Sequence, residues 1–481
     1  MASSAHPYVD PEKPAPYAGS TEKDTRSKDF SHDPNILAGE LQDFEEHEVF
    51  RKDGEVNFRT VSWPRATVIF LKIIFATGVL SIPTAMVSLG AVGGALNVIA
   101  WGVMNTYTAV IQGDFRNKHA GCHSIADMAM QVGGVWVREL VGFLFVVAYV
   151  LCTGSGIVGV TVGLNALSHH AACTVWWGLI ATIVVALAAS VRKFQQIGWL
   201  TWAGFLSIFA AVMIVTIAVT FRDRPAAAPI TGDYDLGYYV VPSGVSFAAG
   251  VVASCNIFVS SAATSAFLPV ISEMRNPREY RKALYVCMGL VTAAYLSVSL
   301  VVYRWCGRWV ASPSLGSAGQ TVKMIAYGIG LIGLVVSACI YLHVAAKYLF
   351  VRILRNSRHL QKNTITHWST WLGLTFGLAF LSFILAEAIP VFNYLLALTG
   401  SLCFAPIAIA LPGWLWLHDH MHFRKGSSGQ QMAFWFHAAF IPLGAFFFVA
   451  GTYGVVQEII AAYADGQIGS AFSCADNSGS I

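Results

Sequence analysis

The sequence Phe75-Ala-Thr-Gly-Val-Leu-Ser-Ile-Pro83 lies in the middle of the first long apolar segment of the chain. Within it, Thr77 and Gly78 precede Pro83, whereas a membrane-spanning helix is normally a continuous apolar run. Because every backbone N–H and C=O group needs a hydrogen-bond partner in lipid, a weakened helix at this depth must face protein or a water-filled cavity. Two interpretations remain here: a functional break in the helix, or an ordinary kink of the kind that Gly and Pro bring to many membrane helices.

The composition indicates a membrane protein. Of the 481 residues, 56% are hydrophobic and only 12% are charged, whereas a soluble domain carries about 25% charged residues. The apolar residues occur in runs of roughly 20, the length that crosses a ~30 Å hydrocarbon core. We therefore predict an all-α polytopic membrane protein. Because its first segment is polar, we expect no cleavable signal peptide.

Eleven transmembrane helices, numbered here as spans 1 to 11, are predicted from the apolar runs. They cover residues 65–89, 91–113, 137–167, 173–190, 196–221, 244–273, 283–305, 322–350, 367–386, 391–416 and 432–460. Residues 1–62 contain 13 acidic and 7 basic residues and are predicted to form a disordered acidic tail. The transmembrane domain is assigned to residues 63–460, and residues 461–481 form a C-terminal tail.

The Lys and Arg residues orient these spans. With a cytoplasmic N-terminus, the inner loops and helix ends hold 16 Lys and Arg residues and the outer side holds 5. Since cytoplasmic loops carry the excess of positive charge, we expect a cytoplasmic N-terminus and a non-cytoplasmic C-terminus.

A second interrupted segment follows five spans later. Span 6 contains Ser260-Ser-Ala-Ala-Thr-Ser265, and Pro269 follows Thr264 at the same distance at which Pro83 follows Gly78. Two five-helix repeats inserted in opposite senses form the inverted-repeat arrangement of secondary transporters, although small residues also suit close helix packing. We therefore predict a 5+5 inverted-repeat core, with broken helices in spans 1 and 6, plus one extra helix.

Three further motifs carry a family resemblance. They are Gly78-Val-Leu-Ser-Ile-Pro83 in span 1, Ile271-Ser-Glu-Met-Arg-Asn-Pro-Arg-Glu-Tyr280 at the exit of span 6, and Ile389-Pro-Val-Phe392 with Leu398-Thr-Gly-Ser401 between spans 9 and 10. In this order they resemble the amino acid/auxin permease family, within the amino acid-polyamine-organocation superfamily. The likeness is greatest to fungal neutral amino acid permeases, in which a Lys such as Lys72 is expected before the first motif.

The resemblance implies a leucine-transporter-like fold and secondary active transport of neutral aliphatic or aromatic amino acids, with proton symport by alternating access. One region departs from the family pattern. Relatives often carry an aromatic residue and a Gly-His pair in the unwound part of the sixth helix, where this chain has Ser261, Ala263 and Thr264. Because of this departure, the resemblance defines the transport activity better than it defines which amino acid is preferred.

An amino acid brings a carboxylate and an ammonium group into a low-dielectric medium, and both groups need partners. Free N–H groups at the start of a half-helix suit the carboxylate, and they are predicted at Ala76, Thr77, Gly78 and Val79. Carbonyl and hydroxyl groups of Ser260, Ser261 and Thr264 are predicted to contact the ammonium group and the side chain of the substrate. Further pocket candidates, with helix packing as the competing interpretation, are Tyr149, Cys152, Ser155, Ser337, Tyr341 and Asn393.

Ionisable groups inside the membrane are rare and functional by default. Lys72, His343 and Lys347 are therefore candidates for proton coupling. The competing interpretations are snorkelling of the two lysines to the headgroups and a packing role for His343. Glu273 is predicted to act at an inner gate by pairing with Arg275, Arg278 or another base of the loop.

The sequence gives no sign of an enzyme, since it holds no Walker loop, HExxH or other catalytic signature. We expect no cofactor, no metal, no nucleic acid and no obligate protein partner, and the only ligands are an amino acid, a co-transported ion (H⁺) and the lipid bilayer. The histidines at 169–170 and at 418–422 are interpreted as chance clusters. Cys173 and Cys474 both lie on the expected outer side, and the sequence leaves undecided whether they form a disulfide.

Two alternatives keep the same fold. One is an amino acid sensor or transceptor that signals through its acidic tail, and the other is a vacuolar amino acid exporter. The plasma membrane is the expected location and the vacuolar membrane is the alternative. A channel or a membrane enzyme finds no support, because the spans show neither a continuous polar stripe nor a cluster of nucleophile, acid and base.

Overall fold

The structure, a computed structural model, describes residues 60–119, 121–191, 194–355, 357–360, 362–466 and 470–478, without the side chains of 76 and 194–199. Within these residues the regular secondary structure is helical, apart from an isolated parallel bridge between Val61 and Met274. The predicted disordered tail lies outside the described residues except for its last three positions. Of these, Val61 is buried and donates its N–H to the carbonyl of Glu273.

The span numbers are kept for the observed helices. Spans 1 and 2 form one bent helix, Trp63–Lys118. Spans 3, 4 and 5 are Ile125–Ser168, Thr174–Ala189 and Phe194–Thr220. Spans 7, 8 and 9 are Tyr280–Cys306, Gln320–Leu354 and Ile365–Ala388.

Spans 6, 10 and 11 are composite. Span 6 consists of Phe247–Ala262, a 3₁₀ turn at Ala263–Ala266, and Phe267–Ser272. Span 10 consists of Phe392–Leu398, a π-helix at Thr399–Ala410, and Leu411–Asp419. Span 11 consists of Ser428–Ala438, Phe440–Phe446, a π-helix at Phe447–Gly451, and Thr452–Ala464.

Nine of the described helices are long and apolar enough to cross a membrane, and Thr174–Ala189 is a shorter apolar helix. Their number defines an integral, multi-pass membrane protein. The count of eleven stays a prediction, because spans 1 and 2 are continuous and span 4 has only 16 residues. We call the face that carries Trp63 and the ends of spans 2, 6, 8 and 10 the Trp63 side, and the opposite face the Cys173 side.

The bend between spans 1 and 2 lies at Gly90, which has φ 72° and ψ 176°. A residue with a side chain would be strained at this positive φ, and its Cβ would lie 2.9 Å from the carbonyl oxygen of Val240. The loop before span 6 satisfies the backbone at this bend, since the N–H groups of Ala91 and Val92 donate to the carbonyls of Tyr239 and Val240.

The helices pack in two main groups. Spans 1 and 2 pack against spans 6 and 7, and span 3 packs against spans 4, 8, 9 and 10. Span 5 packs mainly against span 8. The two groups meet where span 1 contacts span 8, where span 6 contacts span 10, and where the last helix of span 10, Leu411–Asp419, contacts span 2.

The predicted break in span 1 is absent from this conformation. The backbone keeps helical dihedral angles through Thr77 and Gly78, and within Trp63–Lys118 only Gly90 departs from them. A helix interior tolerates Thr and Gly at a cost of only about 1 kcal/mol or less per residue, so the residue types alone do not force a break. Span 6 does change conformation, in the 3₁₀ turn at Ala263–Ala266.

The C-terminal residues lie on the Cys173 side. Cys474 forms a disulfide with Cys173 at the start of span 4. Nearby, Thr174 Oγ1 donates to the carbonyl of Ala475 over 2.7 Å, and Lys323 Nζ donates to the carbonyl of Ser478 over 2.9 Å. These contacts fasten the segment 470–478 across the ends of spans 3, 4 and 8.

Candidate functional site

Spans 1 and 6 touch at Gly78. Ser260 Oγ donates to the carbonyl of Gly78 over 3.2 Å, and Ser81 Oγ donates to the same carbonyl over 3.0 Å. A Cβ at Gly78 would lie 2.7 Å from Ser260 Cβ and 2.6 Å from Tyr295 Oη. The two segments singled out in the sequence therefore lie side by side, and glycine is what allows this contact. Val79 is buried in the same turn, and the side chain of Ala76 lies outside the described atoms.

Two tyrosine hydroxyls reach the backbone of span 1 just before this contact. Tyr341 of span 8 donates to the carbonyl of Ile73 over 2.8 Å, and Tyr295 of span 7 donates to the carbonyl of Ile74 over 2.7 Å. In an α-helix these carbonyls accept from the N–H groups of the residues four positions on, which are Thr77 and Gly78. The carbonyls that a break would leave without partners thus already have a second donor.

The 3₁₀ turn of span 6 is held by span 3. Tyr149 Oη donates to the carbonyl of Ala263 over 3.2 Å and lies 3.2 Å from Ser265 Oγ. Thr264 is 2% exposed, and its hydroxyl finds no hydrogen-bond partner among the described residues. Since buried polar groups are normally paired, Thr264 offers a hydrogen-bonding site to a ligand.

Asn105 of span 2 connects to the same region of span 6. Its side-chain amide donates to Ser261 Oγ over 2.8 Å and to the carbonyl of Phe258 over 3.2 Å. Sequence reasoning missed both Asn105 and Tyr295. The available signal for Asn105 was an amide in the middle of an apolar span, whereas nothing in the sequence distinguishes Tyr295 from other membrane tyrosines.

Lys72 lies in the protein interior with no exposed surface. Its ammonium group donates to Ser337 Oγ over 2.8 Å and to the carbonyl of Gly333 over 2.9 Å. Span 8 thus supplies both acceptors, and Lys72 forms no salt bridge with a carboxylate in the described part of the chain. Because the ammonium group points at span 8, snorkelling to the headgroups does not describe Lys72 here.

Glu273 pairs with Lys347 and not with Arg275 or Arg278 as expected. Lys347 Nζ lies 2.6 Å from Glu273 Oε1, and the two side chains are 15% and 6% exposed. The reason is burial, because both arginines lie exposed in the loop while Glu273 ends the buried helix Phe267–Ser272. Span 6 is therefore tied to span 8 on the Trp63 side.

The remaining predicted side chains are buried but lie apart from this contact. His343 faces spans 4 and 9, where Nδ1 lies 3.4 Å from the carbonyl of Ala189 and the ring packs edge-on to Trp371. Ser155 Oγ donates within its own helix to the carbonyl of Cys152. Asn393 is buried at the start of span 10.

A cavity of about 350 Å³ opens among the helix ends of the Trp63 side. Its inner wall includes Phe145, Ser265 and Pro269, and Lys347 lines it as well. Arg138, Arg352 and Arg355 lie among its outer residues. The cavity therefore leads from the Trp63 side to the 3₁₀ turn that Tyr149 holds.

Comparisons with known proteins identify the family of the chain. The profile of the family described as transmembrane amino acid transporter protein matches residues 59–457, and the chain belongs to this family. It is 50% identical over 438 residues to a protein of Gibberella moniliformis named transmembrane transporter, covering 91% of this chain and 92% of that protein. It is 28% identical over 433 residues to the N amino acid transport system protein of Neurospora crassa, covering 88% of this chain and 90% of that protein.

Among solved structures, the chain is similar to MhsT in complex with L-phenylalanine. The TM-score is 0.50 at 11% sequence identity, covering 83% of this chain and 97% of MhsT. This likeness shows the fold, and it confirms the predicted leucine-transporter-like, all-α architecture. The family confirms the resemblance drawn from the sequence motifs: the class of protein is a transmembrane amino acid transporter and not an enzyme.

Proposed function

We propose that this chain is a secondary active transporter that carries neutral aliphatic or aromatic amino acids in symport with protons. The observation that carries the proposal is the meeting of spans 1 and 6 at Gly78 and Ser260. Thr264 of span 6 adds a buried hydroxyl that has no hydrogen-bond partner within the described part of the chain. Small residues, hydroxyls and backbone carbonyls converge there. The two spans belong to the two halves of a 5+5 inverted repeat, at whose interface such transporters place the substrate.

The absence of charged side chains among Thr77, Ser260 and Thr264 favours a substrate whose own side chain is neutral. The residues at the contact offer hydroxyl, carbonyl and N–H groups, which suit the ammonium and carboxylate groups that all amino acids share. Lys72 precedes Gly78 by six residues, or about 9 Å along a helix. A charged substrate side chain would have no opposite charge among Thr77, Ser260 and Thr264.

Substrate binding opens span 1 at Thr77 and Gly78 in this proposal. Opening would release the N–H groups of residues 76–79 toward the substrate carboxylate, at the positive end of the following half-helix. The carbonyls of Ile73 and Ile74 would keep Tyr341 and Tyr295 as donors. Because an unsatisfied backbone group in the membrane costs several kcal/mol, these two hydroxyls lower the free energy of the opened state.

Lys72 is the proposed proton-coupling group. It lies between span 1, which binds substrate, and span 8, which supplies both acceptors of its ammonium group. Buried ionisable groups of this kind mark proton relays in transporters. His343 and Lys347 are weaker candidates, since His343 faces span 4 and Lys347 is paired with Glu273.

The proposed topology places the Trp63 side in the cytoplasm of a plasma-membrane importer. The excess of Lys and Arg near that side supports it, and so does the disulfide on the opposite side, because disulfides persist in oxidising compartments. In this topology the cavity of about 350 Å³ faces the cytoplasm.

Uptake by the purified full-length chain in liposomes tests the function. We expect labelled leucine or phenylalanine to accumulate in the lumen when the external solution is more acidic than the lumen. Adding a protonophore should abolish this accumulation. Labelled lysine and glutamate serve as charged controls. Accumulation that persists without a proton gradient, or that follows a sodium gradient, would refute proton coupling, and no accumulation of any amino acid would refute the transport proposal. Immunolocalisation in intact cells separates plasma-membrane import from vacuolar export.

A further inference from the structure

Three potential metal ligands meet at the Trp63 side, where span 2 and span 10 end. His119 Nε2 lies 2.8 Å from Asp419 Oδ1, and His418 Nδ1 lies 3.5 Å from the same oxygen. One ligand atom from each of the three residues lies within 4.8 Å of the others. His119 and Asp419 are 300 residues apart in sequence, so only folding brings them together.

The ligand types and their spacing suit zinc. Zinc takes imidazole nitrogen and carboxylate oxygen at about 2.0–2.2 Å, in tetrahedral geometry. Two ligands of a tetrahedral ion at those bond lengths lie about 3.3–3.5 Å apart. The observed distances of 2.8 and 3.5 Å fall close to this range. Small movements of the side chains would therefore admit the ion and leave a fourth position for water.

The surroundings orient these ligands. Lys118 Nζ lies 3.4 Å from Asp419 Oδ2, so the other carboxylate oxygen, Oδ1, is the one that faces both imidazoles. The Phe115 ring lies 4.1 Å from the His119 ring and 6.1 Å from the His418 ring, between centroids. A hydrogen bond to the second oxygen and a rigid apolar neighbour are what a metal site uses to hold its ligands.

The site is reachable from solvent. The His418 side chain is 42% exposed, and a groove of about 420 Å³ lined by Phe115, Lys118 and Asp419 lies alongside. Of the three ligands, Asp419 lines this groove, so the carboxylate is accessible from it.

We propose that His119, His418 and Asp419 form a zinc-binding site that clamps span 2 to span 10. Span 2 packs mainly with spans 6 and 7 and span 10 mainly with spans 3 and 11, and the two spans touch through the helix Leu411–Asp419. A shared ion would join the two groups and favour whichever conformation keeps the three ligands together. Transport needs both conformations, so bound zinc slows turnover. The sequence alone had indicated only chance clusters of histidine.

Direct binding tests the site without reference to transport. The chelator-treated full-length protein is dialysed against ZnCl₂, and bound metal is measured. We expect wild type to bind one zinc ion with higher affinity than His418→Gln or Asp419→Asn, by at least about tenfold, the scale on which even outer-shell changes weaken metal sites. His422→Gln is the matched control, because His422 is exposed in the segment that follows the helix of His418 and lies outside the cluster.

Equal zinc affinity in wild type and His418→Gln would overturn the site, as would no binding by wild type. His418 is half exposed, so its replacement does not threaten folding, and a melting curve for each variant checks this. The clamp is tested by uptake at saturating zinc: we expect slower uptake by wild type and unchanged uptake by His418→Gln. Equal inhibition of the two would overturn the clamp.

Discussion

Gly78 brings spans 1 and 6 into contact because it has no side chain. The position tolerates no Cβ, since the nearest atoms of Ser260 and Tyr295 would lie within 2.7 Å of it. The same residue supplies a carbonyl that accepts from two serine hydroxyls. A side chain at this position would keep the carbonyl but would push Ser260 and Tyr295 away from span 1.

We predict that Gly78→Val abolishes amino acid uptake and lowers stability by about 1–3 kcal/mol, the usual cost of overpacking. Uptake by proteoliposomes and thermal melting in detergent measure the two effects. Gly373→Ala in span 9 is the control, because a Cβ there meets no atom within 4 Å. Normal uptake by a folded Gly78→Val variant would contradict the proposed site.

Lys72 provides the second prediction at this scale. Lys72→Met keeps the length of the side chain but removes the charge that Gly333 and Ser337 hold. We expect loss of proton-driven accumulation, while exchange of labelled for unlabelled substrate persists, because binding and helix movement remain. Lys425→Met is the exposed control. Proton-driven accumulation by Lys72→Met at the wild-type level would exclude Lys72 as the coupling group.

At the scale of elements, the link between the end of span 6 and span 8 depends on one buried pair. Glu273 and Lys347 are 2.6 Å apart and mostly buried, and Glu273 also accepts the N–H of Val61 through its carbonyl. Val61 before span 1, the end of span 6 and span 8 are therefore joined beside Lys347, which also lines the cavity. The gate role of Glu273 stays a prediction, and this joint is where such a gate would act.

We predict that Lys347→Met destabilises the protein by about 3–5 kcal/mol, because it leaves a buried carboxylate without its partner. The exchange Glu273→Lys with Lys347→Glu should restore part of the loss. Glu279→Gln is the control: Glu279 pairs with Lys282 over 3.0 Å on the surface, where a pair contributes about 0–1 kcal/mol. Melting temperatures compare the variants. Equal effects of Lys347→Met and Glu279→Gln would show that the buried pair has no special role.

At the scale of the whole molecule, the disulfide joins two distant parts of the chain. Cys173 and Cys474 are 301 residues apart, so the bond fastens the C-terminal segment to the start of span 4. Hydrogen bonds from Thr174 and Lys323 hold the same segment. The C-terminal segment 470–478 is therefore attached to the starts of spans 4 and 8 on the Cys173 side.

We predict that Cys173→Ser lowers stability by about 2–4 kcal/mol, the typical contribution of a disulfide. Cys474→Ser should cost the same, and the double variant no more than either, because all three remove one bond. Melting temperatures with and without a reductant measure this, and reductant should shift only wild type. Additive losses would show that the two cysteines act separately.

The family, the class of function and much of the site could be predicted from local sequence. Gly78 and Ser260 were both singled out, because small and polar residues followed by proline stand out in an apolar run. Their partners could not be predicted. Tyr295 and Asn105 look like ordinary residues of spans 7 and 2, and their hydrogen bonds to spans 1 and 6 depend on how the helices pack.

The sequence by itself determined that the chain crosses a membrane many times and that the helix of span 6 is interrupted near Ala263–Ala266. These properties follow from apolar run length and residue type, which act locally. Only the tertiary structure decided that span 1 stays helical at Thr77, that Glu273 pairs with Lys347, and that His119 meets Asp419. Each of these depends on distance and burial between residues far apart in the chain, which helix packing sets and local composition does not encode.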